Sequence, residues 1–268
     1  MGGEVHSMPE DIEIYELKRM DIRGATVIDG FPSVGLVSSI VANYLINTLK
    51  LTQIGIMDSV YFPTVSLVRD GIPNNPVRIY AGEKVGTGPA SMDQIVVFIS
   101  EFQPPPNLVK PIASMMIDWA QDQRCKMLVS PEGLVIDRES VDIDKTDETD
   151  LGVYGIGSTE WMCEELKKNG VNEFTEGVIT GVAGVLLNEG KRRDFNVATL
   201  LAEAHPDYPD ARAAARVMEL INKFLLHIDL DVKPLYQEAE RIETQLKSIH
   251  KQTTETKTPG QHQPSMYG

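Results

Sequence analysis

The sequence predicts an α/β fold in which a sheet carries helices on both faces. Two observations predict it. Short β-like runs alternate with longer helical patterns over most of the chain, and one strand candidate, Gln94 to Ser100, is nearly continuous apolar sequence of the kind buried on both faces. A length of 268 residues suits one large α/β domain or two small ones, with enough chain to bury roughly three quarters of its unfolded surface.

In chain order, Ala25 to Asp29 reads as a strand and Val34 to Thr48 as a helix, separated by Gly30-Phe-Pro-Ser-Val-Gly35. Ile54 to Met57 is the next strand. Tyr61 to Val68 and Val77 to Tyr80 flank a turn rich in Gly, Asn and Pro, which predicts that these two runs pair as a hairpin. After Gln94 to Ser100, three successive prolines at 104–106 exclude helix until Asn107, where Leu108, Ile112, Met115, Met116 and Trp119 resume helical spacing. Lys126 to Val129 and Gly152 to Gly157 are strands, and Glu160 to Lys168 is a helix stopped by Asn169-Gly170. Gly177 to Thr180 reads as the last inner strand, and Val197 to Ala204 as a helix. A longer helix opens within 207–211 on a capping Asp and an early Pro.

A final helix is expected within 233–251. Leu235, Ala239, Ile242, Leu246 and Ile249 alternate at spacings of four and three, a narrow apolar seam that suits a partner helix or packs back on the same domain. The expected organisation is a flexible leader over 1–9, a body over 10–232, this helix, and a disordered tail over 252–268.

Charge and cysteine content limit the functions available. With 25 Lys and Arg against 39 Asp and Glu, the net charge is −14, which argues against nucleic acid or an anionic membrane as main partner. Cys125 and Cys163 are too few for a disulfide framework or a cysteine-based zinc site and fit a reducing cytoplasm. The longest nearly apolar run, Val178 to Leu187, is about half the length that spans a bilayer.

The residues offer few catalytic constellations. Gly30 to Gly35 sits where a phosphate loop would, but it has neither a dinucleotide nor a Walker pattern. Its glycines, with Gly181 and Gly184, read foremost as tight-turn and close-packing positions. Asp29 and Glu101 both end predicted strands and would form an acid/base pair if those strands were neighbours; service to loops and helix termini is the stronger reading. The acidic stretch Asp137 to Asp150 reads as a solvated loop rather than a metal site, and no cofactor motif is present. The chain closes on Pro264-Ser-Met-Tyr-Gly268. Met266 can fill an apolar groove, Tyr267 can stack and donate a hydrogen bond, and the Gly268 carboxylate can meet a lysine, so the segment suits a pocket that recognises chain termini.

Several ordered motifs resemble the archaeal branch of the proteasome assembly chaperone family. They are Gly30-Phe-Pro-Ser-Val-Gly-Leu-Val37, the Ser100-Glu-Phe-Gln-Pro104 junction, Gly177-Val-Ile-Thr-Gly-Val-Ala-Gly-Val-Leu-Leu187, and the run from Leu200 through His205-Pro206 to Ala214. The resemblance implies a three-layer α/β/α sandwich similar to nucleoside phosphorylase-like folds, no catalytic site, no cofactor, and assembly into homo-oligomers. It also implies that Met266-Tyr267-Gly268, a hydrophobic-tyrosine-any tripeptide, inserts between α-subunits of the proteasome core particle. The expected function is therefore that of an assembly chaperone or gate-opening activator. The alternative is a phosphorylase- or hydrolase-like enzyme that uses a cleft at Asp29, Gly30, Gly35 and Glu101 on a small nucleoside or phosphate-bearing ligand.

Overall fold

Four strands with almost wholly buried side chains form the centre of the molecule and run parallel: β2 (Thr26–Gly30), β7 (Ile95–Ser100), β8 (Met127–Val135) and β11 (Val197–Ala204). Burial on both faces is what their near-continuous apolar sequences require. The computed structural model describes residues 12–82, 94–135, 152–206, 208–226, 231–235 and 237. Around the centre, β1 (Ile12–Glu16), β3 (Thr52–Ser59) and β6 (Val77–Ala81) extend one side antiparallel, while β9 (Val153–Gly157) and β10 (Asn172–Glu173) extend the other. The nine-stranded order is β1-β3-β6-β7-β2-β8-β11-β9-β10, and β4 (Leu67–Arg69) with β5 (Ile72–Asn74) forms a separate two-stranded hairpin.

Helices cover both faces. One apolar core joins the sheet to α1 (Val37–Thr48), α3 (Glu160–Lys168) and α5 (Ala211–Ile221). A second joins it to α2 (Pro106–Asp122) and α4 (Gly181–Arg193). Local chemistry fixes the ends. The Asp210 carboxylate accepts from the backbone of Arg212 and Ala213, both at 3.0 Å, and Thr159 accepts from Met162 N at 3.2 Å; such caps contribute about 1 kcal/mol each.

Three expectations are corrected. Val197 to Ala204, expected as a helix, is β11, because its place between β8 and β9 buries both faces and overrides the helix propensity of Leu, Ala and Glu. Gly177 to Thr180 is irregular chain before α4, with Val178 exposed, and β11 takes the inner-strand place expected for it. The hairpin closes at Asp70-Gly71 between β4 and β5, while Val77 to Tyr80 joins the main sheet between β3 and β7.

Leu235, expected at the head of the seam, is fully buried in this chain's own first core. Nearby, the Tyr44 hydroxyl donates to the Asp231 carbonyl at 2.8 Å. It is thus committed to the body, whereas Ala239, Ile242, Leu246 and Ile249 lie outside the described residues. A packing constraint also falls at Gly133 in β8, where a Cβ would meet the Val34 carbonyl carbon at 2.8 Å and Ala204 Cβ at 3.0 Å. Gly133→Ala is expected to cost about 3 kcal/mol, read as a lower urea midpoint with unchanged slope.

Candidate functional site

The Gly30-to-Gly35 loop joins β2 to α1 at the carboxyl end of the parallel strands, where open α/β sheets hold ligands. Internal hydrogen bonds occupy the Phe31 amide of the loop and the first amides beyond it. Phe31 N donates to Asp29 Oδ1 at 3.0 Å, Leu36 N to the Ser33 carbonyl at 2.9 Å, and Ser38 N to Ser33 Oγ at 3.1 Å. Its glycines serve close packing. A Cβ on Gly30 would lie 2.5 Å from Ala42 Cβ and 2.6 Å from the Phe98 carbonyl oxygen. Gly35 has φ +60°, lies against the chain around His205, and accepts a hydrogen bond from Asp210 N at 2.8 Å. The loop therefore pins α1 and the start of α5 to the sheet.

Asp29 is fully buried on the face covered by α2 and α4. Besides Phe31 N, it accepts from the Ser130 hydroxyl at 2.7 Å. Ser130 pairs in register with Thr199, also fully buried, whose hydroxyl has no protein partner. Glu132 lies two residues beyond Ser130 on the same face of β8. Burial pushes the Asp29 carboxyl up to about 6, against the lowering effect of its two hydrogen bonds. Burial, and then the charge of Asp29, raises Glu132 well above the usual carboxylate range.

A folded-state pKa raised above the unfolded value of about 4 means that the native state holds the proton more tightly. Stability is then greatest below pH 4 as far as this group is concerned. It falls as pH rises from about 4 to about 6, and the loss is roughly 3 kcal/mol by pH 7. Asp29→Asn is expected to raise the melting temperature at pH 8 and flatten its decline between pH 4 and 7. The Asn oxygen can still accept from Phe31 N, and the Ser130 hydroxyl can turn to accept.

Glu101 follows β7, and β7 is indeed the neighbour of β2, yet Glu101 and Asp29 make no pair. The Glu101 carboxylate binds Arg78 through both oxygens and Arg69 at 2.8 Å. Arg78, on β6, is 1% exposed and also donates to the Asn75 carbonyl at 2.8 Å. Each expected cleft residue thus has a structural engagement: Asp29 ties β2 to β8, and Glu101 ties the β4–β5 hairpin to β6. Among the described residues, no group of three or more His, Cys, Asp or Glu stands where it could hold a metal. No described helix is long and apolar enough to cross a membrane.

Comparison with known proteins places this architecture. The family model described as the PAC2 family matches residues 27–250. The chain belongs to the PAC2 family. It is 34% identical to Pyrococcus furiosus PbaA, described as an archaeal homolog of proteasome-assembly chaperone, with a TM-score of 0.74 over 92% of this chain and 100% of that one. Pyrococcus furiosus PbaB, an archaeal proteasome activator, has the same fold at 23% identity, with a TM-score of 0.72 over 90% and 99% of the two chains. The uncharacterized protein MJ0106 of Methanocaldococcus jannaschii is 28% identical over 97% of this chain and 100% of its own.

Within this PAC2 chain, the tail residues Met266, Tyr267 and Gly268 lie outside the described residues, as does the acidic stretch Asp137 to Asp150. Sequence reading missed Arg78, Glu132 and Thr199, and took Ser130 only as a serine without the nucleophile pattern around it. Arg78 had a usable signal, since a cation inside the apolar run Val77 to Ala81 is stable in a sheet only when paired.

Proposed function

We propose that this PAC2 protein is a cytoplasmic, non-enzymatic homo-oligomer that binds the α-ring of the proteasome core particle through Met266-Tyr267-Gly268, as an assembly chaperone or gate-opening activator. The observation that carries this reading is the 34% identity to PbaA over nearly the whole of both chains. The sequence of the last three residues supplies the rest: an apolar side chain, a ring with a hydroxyl, and a terminal carboxylate match a pocket built to receive a chain end. If extended, the stretch from Thr253 to Gly268 would reach roughly 50 Å, so a body of this size can stand off the ring while its tail reaches a pocket.

Consistent with this reading, Asp29 and Glu101, the residues an enzyme would have used, are engaged with Ser130 and with Arg78 and Arg69. The test is co-sedimentation of the full chain with assembled core particles and with isolated α-rings. Binding to either is expected. Absence of binding to both, together with calorimetric binding of inorganic phosphate or a nucleoside, would overturn the reading in favour of the enzyme.

A further inference from the structure

A row of polar side chains crosses three central strands on the face covered by α2 and α4. Asp29 on β2 accepts from the Ser130 hydroxyl on β8 at 2.7 Å, and Ser130 is the register partner of Thr199 on β11. Register partners in a parallel pair point to the same side of the sheet. The side is fixed by the residue two positions earlier on each strand, since Val27, Leu128 and Val197 all belong to the core that α2 and α4 complete. Glu132 follows Ser130 by two positions and joins the row. Asp29, Ser130 and Thr199 are fully buried; Glu132, toward the carboxyl edge of β8, is part-exposed.

The row is short of partners. Each Asp29 oxygen is engaged once, Oδ1 by Phe31 N at 3.0 Å and Oδ2 by Ser130, and each keeps a further lone pair. Ser130 Oγ gives its only proton to Asp29 and retains its capacity to accept. Thr199 Oγ1 is buried with no hydrogen-bond partner among the described residues, a state that buried hydroxyls rarely hold without an ion or water to complete them. Glu132 accepts no hydrogen bond among those residues either. The charged group that acts on it is Asp29, and no Lys or Arg acts on either carboxyl. Two adjacent carboxyls without a base, beside an unpartnered hydroxyl, lack a positive charge that takes several oxygen ligands at once.

We infer that Asp29, Ser130, Glu132 and Thr199 form a site for a hard divalent cation, calcium or magnesium, which ties β2, β8 and β11 together. All four donors are oxygens, the ligands that such ions take, and none is the thiolate or imidazole that a softer metal would favour. The set has two acids completed by two hydroxyls, so it needs no cluster of three acids, cysteines or histidines. Two carboxylates match the charge of the ion, and the part-exposed end at Glu132 admits both the ion and the water that completes its shell. The site lies in the folded body and owes nothing to the tail, so the inference goes beyond the proposed function and its test fails separately from proteasome binding.

The measurement is the melting temperature of the full chain at pH 8, after EDTA treatment and then in calcium chloride or magnesium chloride, with sodium chloride at matched ionic strength as the blank. At a concentration about tenfold above its dissociation constant, one or both divalent ions should raise the midpoint by about 3 °C or more, and sodium should not. Asp29→Asn and Glu132→Gln should each abolish that rise. Thr199→Val decides the matter if either misfolds: it keeps the shape, removes a hydroxyl that has no partner, and should weaken the ion's hold by about 10–100-fold. Asp142→Asn with Asp144→Asn, in the acidic stretch, should leave the effect intact. No rise with either ion would overturn the inference and leave a proton as the only counter-charge of the pair. So would a rise that survives the substitutions at Asp29, Glu132 and Thr199 but vanishes with those at Asp142 and Asp144, which would assign the ion to the acidic stretch.

Discussion

Deleting Met266, Tyr267 and Gly268 is expected to abolish binding to the core particle while leaving the melting temperature and the subunit number unchanged. A few anchor side chains carry most of the energy of a small interface, and here only three residues are proposed to enter the pocket. Met266 is flexible and loses rotamer freedom when held, so a single tail binds weakly. Several tails on one oligomer convert later contacts into intramolecular ones and raise avidity by about 10²–10⁴. Two consequences follow for a pull-down. Tail deletion from every subunit should remove binding altogether, and mixing truncated with intact subunits should weaken it far more steeply than in proportion. The central strands β2, β7, β8 and β11 are packed by α1 to α5, so circular dichroism and urea midpoints should not move.

Replacing Arg78 with alanine is the substitution expected to damage the fold most. The side chain is 1% exposed, its guanidinium binds both oxygens of Glu101, and it also satisfies the Asn75 carbonyl. Its removal opens a cavity, leaves Asn75 without this donor, and frees the hairpin end of the sheet. Breaking one side of a buried ion pair costs about 3–5 kcal/mol, a large fraction of the roughly 5–15 kcal/mol that holds a domain together. Urea denaturation should show that loss. Glu101→Leu combined with Arg78→Met, which removes both charges and keeps the volume, should recover most of it, since apolar replacement of a whole buried pair is often neutral. A loss below about 1 kcal/mol for Arg78→Ala would mean that Arg69 alone can hold Glu101. The same carboxylate also holds the β4–β5 hairpin, because Glu101 binds Arg69.

The elements legible in the sequence are those whose burial repeats along the chain. The run Ile95 to Ser100, short, β-branched and stopped by three prolines, read as a buried strand, and the spacing of Leu108, Ile112 and Met116 read as one helix face in a core; both are found so. Val197 to Ala204 was illegible for a physical reason. Leu, Ala and Glu favour helix when isolated, and only the neighbouring strands β8 and β9 make that segment a strand. The hairpin was found but misplaced, since Asp70-Gly71 is a better reversal than the longer turn that follows, and Val77 to Ala81 is captured by β3 and β7. At the site, the adjacency of the Asp29 and Glu101 strands entered only as the condition for an acid/base pair, and their actual partners were not foreseen. Ser130 and Arg78 lie 101 and 23 positions away, and no local pattern links residues so distant in the chain.

The central claim is that a chain terminus, rather than a cleft in the body, makes the contact with the proteasome. The most direct measurement compares two forms of the full-length protein that differ only at Gly268, one with its free carboxylate and one amidated, by binding to immobilised core particle. Amidation removes a single charge from the tip and leaves the body and the side chains of Met266 and Tyr267 in place. The expected result is a loss of binding large enough to approach that of the tail deletion. Equal affinity of the two forms would contradict the claim and return the search to the surface of the folded body.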